Sequence, residues 1–195
     1  MKKNNKYLMF IIFFFSLVFC SNEKDEYVIL VSFDGFRYDY TERFELPYFD
    51  YIEEWGVKAK SLKPIFPSFT FPNHYAIATG CYANKHKILG NEFKNELGEY
   101  SYKDKNSVQD AKWYGAEPIW VTAEKNNMIT ATYFWVGSEA PIGGLYPTYY
   151  KNYESGINPY DKVDQAIDWL EYPISSRPKL VCLYFNEPDH AGHVY

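Results

Sequence analysis

The sequence is short of positive charge, of cysteine and of any long apolar run. Lysine and arginine number 20 against 25 aspartates and glutamates, for a net charge of −5. That balance argues against nucleic acid held on a basic surface. It leaves a phosphorylated small molecule open, because metal ions can supply positive charge locally. The apolar run at residues 8–19 is 12 residues long, too short to span a membrane comfortably. There are three cysteines, which say little. Cys182 lies inside an apolar strand and reads as a buried thiol. A disulfide between Cys81 and Cys182 is compatible with export, but spacing alone does not show one. No internal repeat and no linker interrupt residues 27–195, a length that suits one domain.

What the chain does have is apolar and aromatic. Hydrophobic residues make up 47% and aromatics 21%, with 20 Tyr and 15 Phe, enough for a real core. Lys2, Lys3 and Lys6 precede the apolar run, and a polar stretch follows it, so residues 1–19 read as an export signal. Leu17-Val18-Phe19-Cys20 resembles a bacterial lipobox, in which Cys20 would carry lipid after cleavage. Phe19 departs from it, standing where the pattern wants a small residue. A lipid-anchored form, a released form and an uncleaved membrane anchor all stay open. Residues 20–26 are a short polar linker.

Residues 27–33 (YVILVSF) and 180–185 (LVCLYF) are nearly continuous apolar runs, the pattern of strands buried on both faces of a parallel sheet. Residues 129–135 are a third candidate. Val163, Ala166, Ile167 and Leu170 follow helical spacing behind Asn158-Pro159, a cap and first turn. Weaker helices are expected over 46–55 and 118–126, and Pro72 lies in the first turn of another. Alternating strands and helices predict an α/β fold with a mostly parallel sheet. Such folds gather their chemistry outside the carboxyl ends of the strands, where Asp34 and Asp189 lie.

Asp34 follows the first strand, and Gly35 lets the chain turn there. A carboxylate so placed can bind a cation, although many strands end in Asp-Gly simply to turn. Asp189 and His193, four apart, suit zinc, which takes oxygen and nitrogen ligands. Pro188 and Gly192 predict a loop leading into a turn there, not a helix interior. Thr70 is the candidate nucleophile. Its hydroxyl needs an activator, such as a directly bound zinc ion. The helix opening near Pro72 would aim backbone N–H groups at a phosphate. Helix capping is the commoner role for such a threonine.

These pieces stand with longer motifs: Ser32-Phe33-Asp34-Gly35-Phe36-Arg37, Phe66-Pro67-Ser68-Phe69-Thr70-Phe71-Pro72-Asn73-His74-Tyr75, Thr79-Gly80, Gly90-Asn91, Glu117-Pro118-Ile119-Trp120, Trp135-Val136-Gly137-Ser138-Glu139 and Glu187-Pro188-Asp189 with Gly192-His193. In this order they resemble the type I phosphodiesterase/nucleotide pyrophosphatase family of the alkaline phosphatase superfamily, over nearly all of residues 27–195. The resemblance implies the N-terminal part of an alkaline-phosphatase-like α/β domain, a mostly parallel sheet flanked by helices. It implies two zinc ions and hydrolysis of phosphodiester or pyrophosphate bonds in nucleotides or other small molecules. Asp34 and Thr70 match ligands of one ion, Thr70 being the nucleophile. Asp189 and His193 match ligands of the other. Asn91 matches the donor to a phosphate oxygen. Phe71 and Tyr150 match the aromatic pair around a nucleobase.

His74 reads as structural, His86 has no assigned role, and His190 matches no ligand. Tyr146, Tyr149, Tyr150 and Tyr153 read as a sheet-edge or cleft surface. The family's remaining ligands, an Asp-His pair and a later histidine, follow in sequence. The expectation is therefore a domain shortened at its C-terminus, with weak zinc binding and little turnover. The product would be exported, to a periplasm or cell surface, with membrane attachment if Cys20 is lipidated. The competing expectations are a phosphomonoesterase of the same superfamily and an exported remnant without catalysis.

Overall fold

The computed structural model describes residues 26–194. The export signal and Cys20 lie outside the described residues. A four-stranded parallel sheet has the order β1 (Val28–Phe33), β6 (Leu180–Phe185), β4 (Thr130–Tyr133), β5 (Tyr149–Lys151). Around it in chain order lie helices α1 (Tyr40–Arg43), α2 (Pro47–Trp55), α3 (Thr70–Thr79), α4 (Ala83–His86), α5 (Lys105–Val108), α6 (Ile119–Lys125), α7 (Pro159–Glu171) and α8 (Asp189–Val194). A separate antiparallel hairpin joins β2 (Glu92–Asn95) to β3 (Gly98–Ser101). No sequence expectation covered that hairpin. Among the described residues no helix is long and apolar enough to cross a membrane.

The sheet is covered on both faces at its centre. Successive residues of a strand point to opposite faces. Leu180, Cys182 and Tyr184 join one core with Phe71, Tyr75, Trp120 and Trp135. Val181, Leu183 and Phe185 join the other with Ala131, Tyr133, Ala166 and Trp169. All six residues of β6 are buried, as its apolar run predicts. Helix α7 opens as expected, the Asn158 side chain accepting from the Tyr160 N–H at 3.1 Å with Pro159 in the first turn. Its buried stripe is rotated from the expected one. Lys162, Ala166 and Trp169 are buried, while Val163 and Ile167 are exposed. The Trp169 ring packs on Tyr133 and Tyr149, and that large contact sets the helix orientation.

β1 departs from expectation. It is an edge strand, and none of its residues is fully buried. Ile29, Val31 and Phe33 pair in register with Val181, Leu183 and Phe185 but remain largely exposed. Leu30 and Ser32, on the other face, are half-buried, and Leu30 packs against the first core. Phe33 stacks on Phe185 at 5.2 Å and packs against Phe36 and Phe49.

Cys81 and Cys182 are both free, so the two thiols form no disulfide. Cys182 is the expected buried thiol, and burial pushes it up to about 12.

Candidate active site

The strand ends build one wall of a cavity of about 570 Å³. Asp34 follows β1, and its N–H donates to the Phe185 carbonyl at 2.8 Å. The Asp34 carbonyl in turn accepts from the Asp189 N–H at 2.9 Å. The two acidic turns are thus laced together. Gly35 makes this approach workable, having φ +70° and a position where a Cβ would lie 2.7 Å from the Asp189 Cα. One carboxylate oxygen of Asp34 accepts from the Tyr184 hydroxyl at 2.8 Å. Burial and the Asp34 charge both push the Tyr184 phenol up, so it stays a donor. The other Asp34 oxygen is left for a further partner.

Asp189 and His193 lie on helix α8, with His193 Nε2 3.5 Å from Asp189 Oδ2. The expected loop and turn are a short helix instead. Spacing of four brings both side chains to one helix face, where Gly192 meets no crowding.

Thr70 is the first residue of α3. The residue before it, Phe69, occupies the capping position, so the Thr70 side chain does not cap the helix. Pro72 falls in the first turn, as expected, where its lack of an N–H costs nothing. Asn91 faces the same turn: its Oδ1 accepts from the Phe71 N–H at 3.0 Å. With that oxygen committed, the Asn91 side chain has its NH2 group left to donate.

Asp34, Thr70, Phe71, Asn91, Asp189 and His193 all line this one cavity. Tyr150 does not. It stacks on Tyr146 at 5.0 Å with the rings 5° apart, on the exposed edge strand. Tyr153 lines the cavity instead, packed against Phe134. Four tyrosines within eight residues offered no sequence signal to tell which would turn inward. Sequence reasoning also missed Tyr184, hidden in an apolar run, and Lys103 and Lys105, which bring positive charge to the cavity. His190 lines it as well, although no ligand role was expected. At another point of the wall Glu139 accepts from the Tyr153 N–H at 3.1 Å. Burial raises its pKa, opposed by that hydrogen bond and by Lys105.

The donors suit zinc in kind. Asp34 and Thr70 offer oxygens; Asp189 and His193 offer an oxygen and a nitrogen. Among the described residues no three His, Cys, Asp or Glu side chains gather into a metal-holding group.

Residues 28–195 match the family model described as type I phosphodiesterase/nucleotide pyrophosphatase. The chain is 38% identical over 171 residues to venom phosphodiesterase 2 of Crotalus adamanteus, covering 86% of this chain and 21% of that protein. It is 36% identical over 170 residues to ectonucleotide pyrophosphatase/phosphodiesterase family member 1 of Homo sapiens, covering 86% and 18%. Among solved structures it resembles murine ectonucleotide pyrophosphatase/phosphodiesterase 5, with TM-score 0.81 and 33% identity over 86% of this chain and 45% of that one. An inactive threonine-to-alanine variant of that murine protein, solved in complex with AMP, is equally similar in fold, at TM-score 0.81 and 32% identity over the same shares. The chain thus spans about a fifth of the length of these curated relatives and under half of the solved ones.

Proposed function

Because the chain belongs to the type I phosphodiesterase/nucleotide pyrophosphatase family, we propose that it carries the nucleophile-bearing part of an exported, zinc-dependent hydrolase of phosphodiester or pyrophosphate bonds in nucleotides. The observation that supports this most is the convergence of Asp34, Thr70, Asn91, Asp189 and His193 on one cavity. The AMP bound by the murine relative's inactive threonine variant supports a nucleotide substrate and a threonine nucleophile.

Thr70 Oγ attacks phosphorus in line, and the bond to the leaving group breaks as the Thr70–phosphorus bond forms. Water then cleaves that bond and restores the hydroxyl. The Asn91 NH2 donates to a phosphate oxygen where negative charge gathers. Phe71 and Tyr153 give a nucleobase two aromatic walls, the latter in place of Tyr150. Asp34 and Thr70 would hold one zinc ion, Asp189 and His193 another. Zinc, when bound, supplies a Lewis acid that lowers the proton affinity of the Thr70 hydroxyl and offsets phosphate charge.

The test is hydrolysis of a p-nitrophenyl ester of a nucleoside 5′-phosphate, with excess zinc, beside p-nitrophenyl phosphate. Diester cleavage that Thr70→Ala abolishes is expected. Preference for the monoester would make the chain a phosphomonoesterase. No cleavage of either at saturating zinc would make it a remnant without catalysis.

A further inference from the structure

His74 is buried and lines no part of the cavity, yet it touches the elements that shape it. Its Nδ1 lies 2.8 Å from the carbonyl of Thr70. A carbonyl only accepts, so Nδ1 carries the proton. Its Nε2 lies 2.7 Å from the Ser32 hydroxyl, 42 residues away on β1. In the neutral ring Nε2 has a lone pair, so the hydroxyl donates to it.

The rest of the surroundings lock the ring. The rings of Trp135 and Tyr184 stand T-shaped to it, with centroids 5.5 and 5.0 Å away. The Trp135 indole N–H donates to the His74 carbonyl at 2.9 Å. Asp34 and Asp189 are the charged groups that act on the ring. Ser32 stands two residues before Asp34 on the same strand, and Tyr184, against the ring, donates to Asp34. A continuous line of hydrogen bonds therefore runs from β1 through the imidazole to the Thr70 peptide.

We infer that Ser32 and His74 form a strut that positions the Thr70 end of helix α3 relative to Asp34. Helix ends fray, since their first N–H groups have no partner within the helix. His74 is itself on α3, so its bond to the Thr70 carbonyl lies within the helix, and the tie from outside is the Ser32 hydroxyl on β1. The strut holds the Thr70 peptide from below, while Asn91 holds the Phe71 N–H from the cavity side. His74 is a positioning residue. The consequence for turnover rests on Thr70 as the nucleophile; the tie itself does not.

The test is amide hydrogen exchange on the full chain carrying Ser32→Ala, Ser32→Thr, His74→Asn or His74→Gln. Asn keeps a donor near the Nδ1 position and loses Ser32; Gln reaches toward Ser32 and loses the Thr70 carbonyl. Ser32→Ala, His74→Asn and His74→Gln should each speed exchange at amides 73–76 by roughly tenfold, the scale of one lost buried hydrogen bond, with α7 unchanged. Ser32→Thr, which keeps the hydroxyl, should restore protection. Exchange at 73–76 within twofold of wild type in Ser32→Ala overturns the strut. So does equal acceleration in α3 and α7, which marks a merely structural role. Where the wild type turns diester over, kcat should fall in Ser32→Ala with KM unchanged. A wild type without turnover counts against the proposed function alone, and the exchange result still decides the strut.

Discussion

β1 and β6 are neighbours, parallel and in register, and their sequences are alike: VILVSF beside LVCLYF. Yet Ile29 is 50% exposed and its register partner Val181 is 0% exposed. The difference comes from what stands on the far side. β6 lies between two strands under helices on both faces, while among the described residues β1 has β6 alone. The lesson is that an apolar run states what a strand needs, and the neighbours decide whether it is met. An exposed apolar edge with unpaired backbone groups is also a template for pairing with another chain.

The sharpest way to break the comparison is to place one charge in each strand. Val181→Asp buries a carboxylate with no partner and should cost more than about 4 kcal/mol, leaving no folded protein by circular dichroism. Ile29→Asp should leave the fold intact and reduce self-association in light scattering. Equal damage from both would show that β1 is as enclosed as β6. At the turn after β1, Gly35→Ala forces a Cβ against the Asp189 backbone in a left-handed conformation. It should cost about 1–3 kcal/mol and weaken zinc binding measured by calorimetry. At the matching end of β6, Tyr184→Phe removes the donor to Asp34. The expected loss is about 1 kcal/mol in urea unfolding.

The smallest effect is a pH dependence confined to the covered side. His86 is fully buried beside Tyr75, its Nδ1 accepting from the Ile88 N–H at 3.2 Å. Burial lowers its pKa below the unfolded value. Folding therefore favours the neutral ring. That stability is full above the unfolded pKa of about 6.5 and is lost as pH falls through the lower folded value. The melting temperature should drop between pH 7 and 5, and His86→Phe should flatten that drop.

Much of the fold was legible because its signals are local. The all-buried run of β6, the Asn158 cap and the first turn at Pro72 each depend on a few adjacent residues. Asp34 and Asp189 were legible as strand-end groups for the same reason. The β2–β3 hairpin was missed because Glu92–Asn95 and Gly98–Ser101 are polar and short, with little apolar alternation. Tyr153 was missed because one tyrosine in a cluster is chemically like the next, and the Tyr146–Tyr150 stack is formed only when β5 pairs with β4.

The sequence by itself determined the class of fold, the residues at the strand ends and the family, since apolar periodicity and motif order are written along the chain. Tertiary structure alone decided that β1 is an edge, that Tyr184 reaches Asp34 across 150 residues and that Ser32 meets His74 across 42. Strand order and register bring such partners together. Both follow from how whole layers pack, which no local pattern encodes.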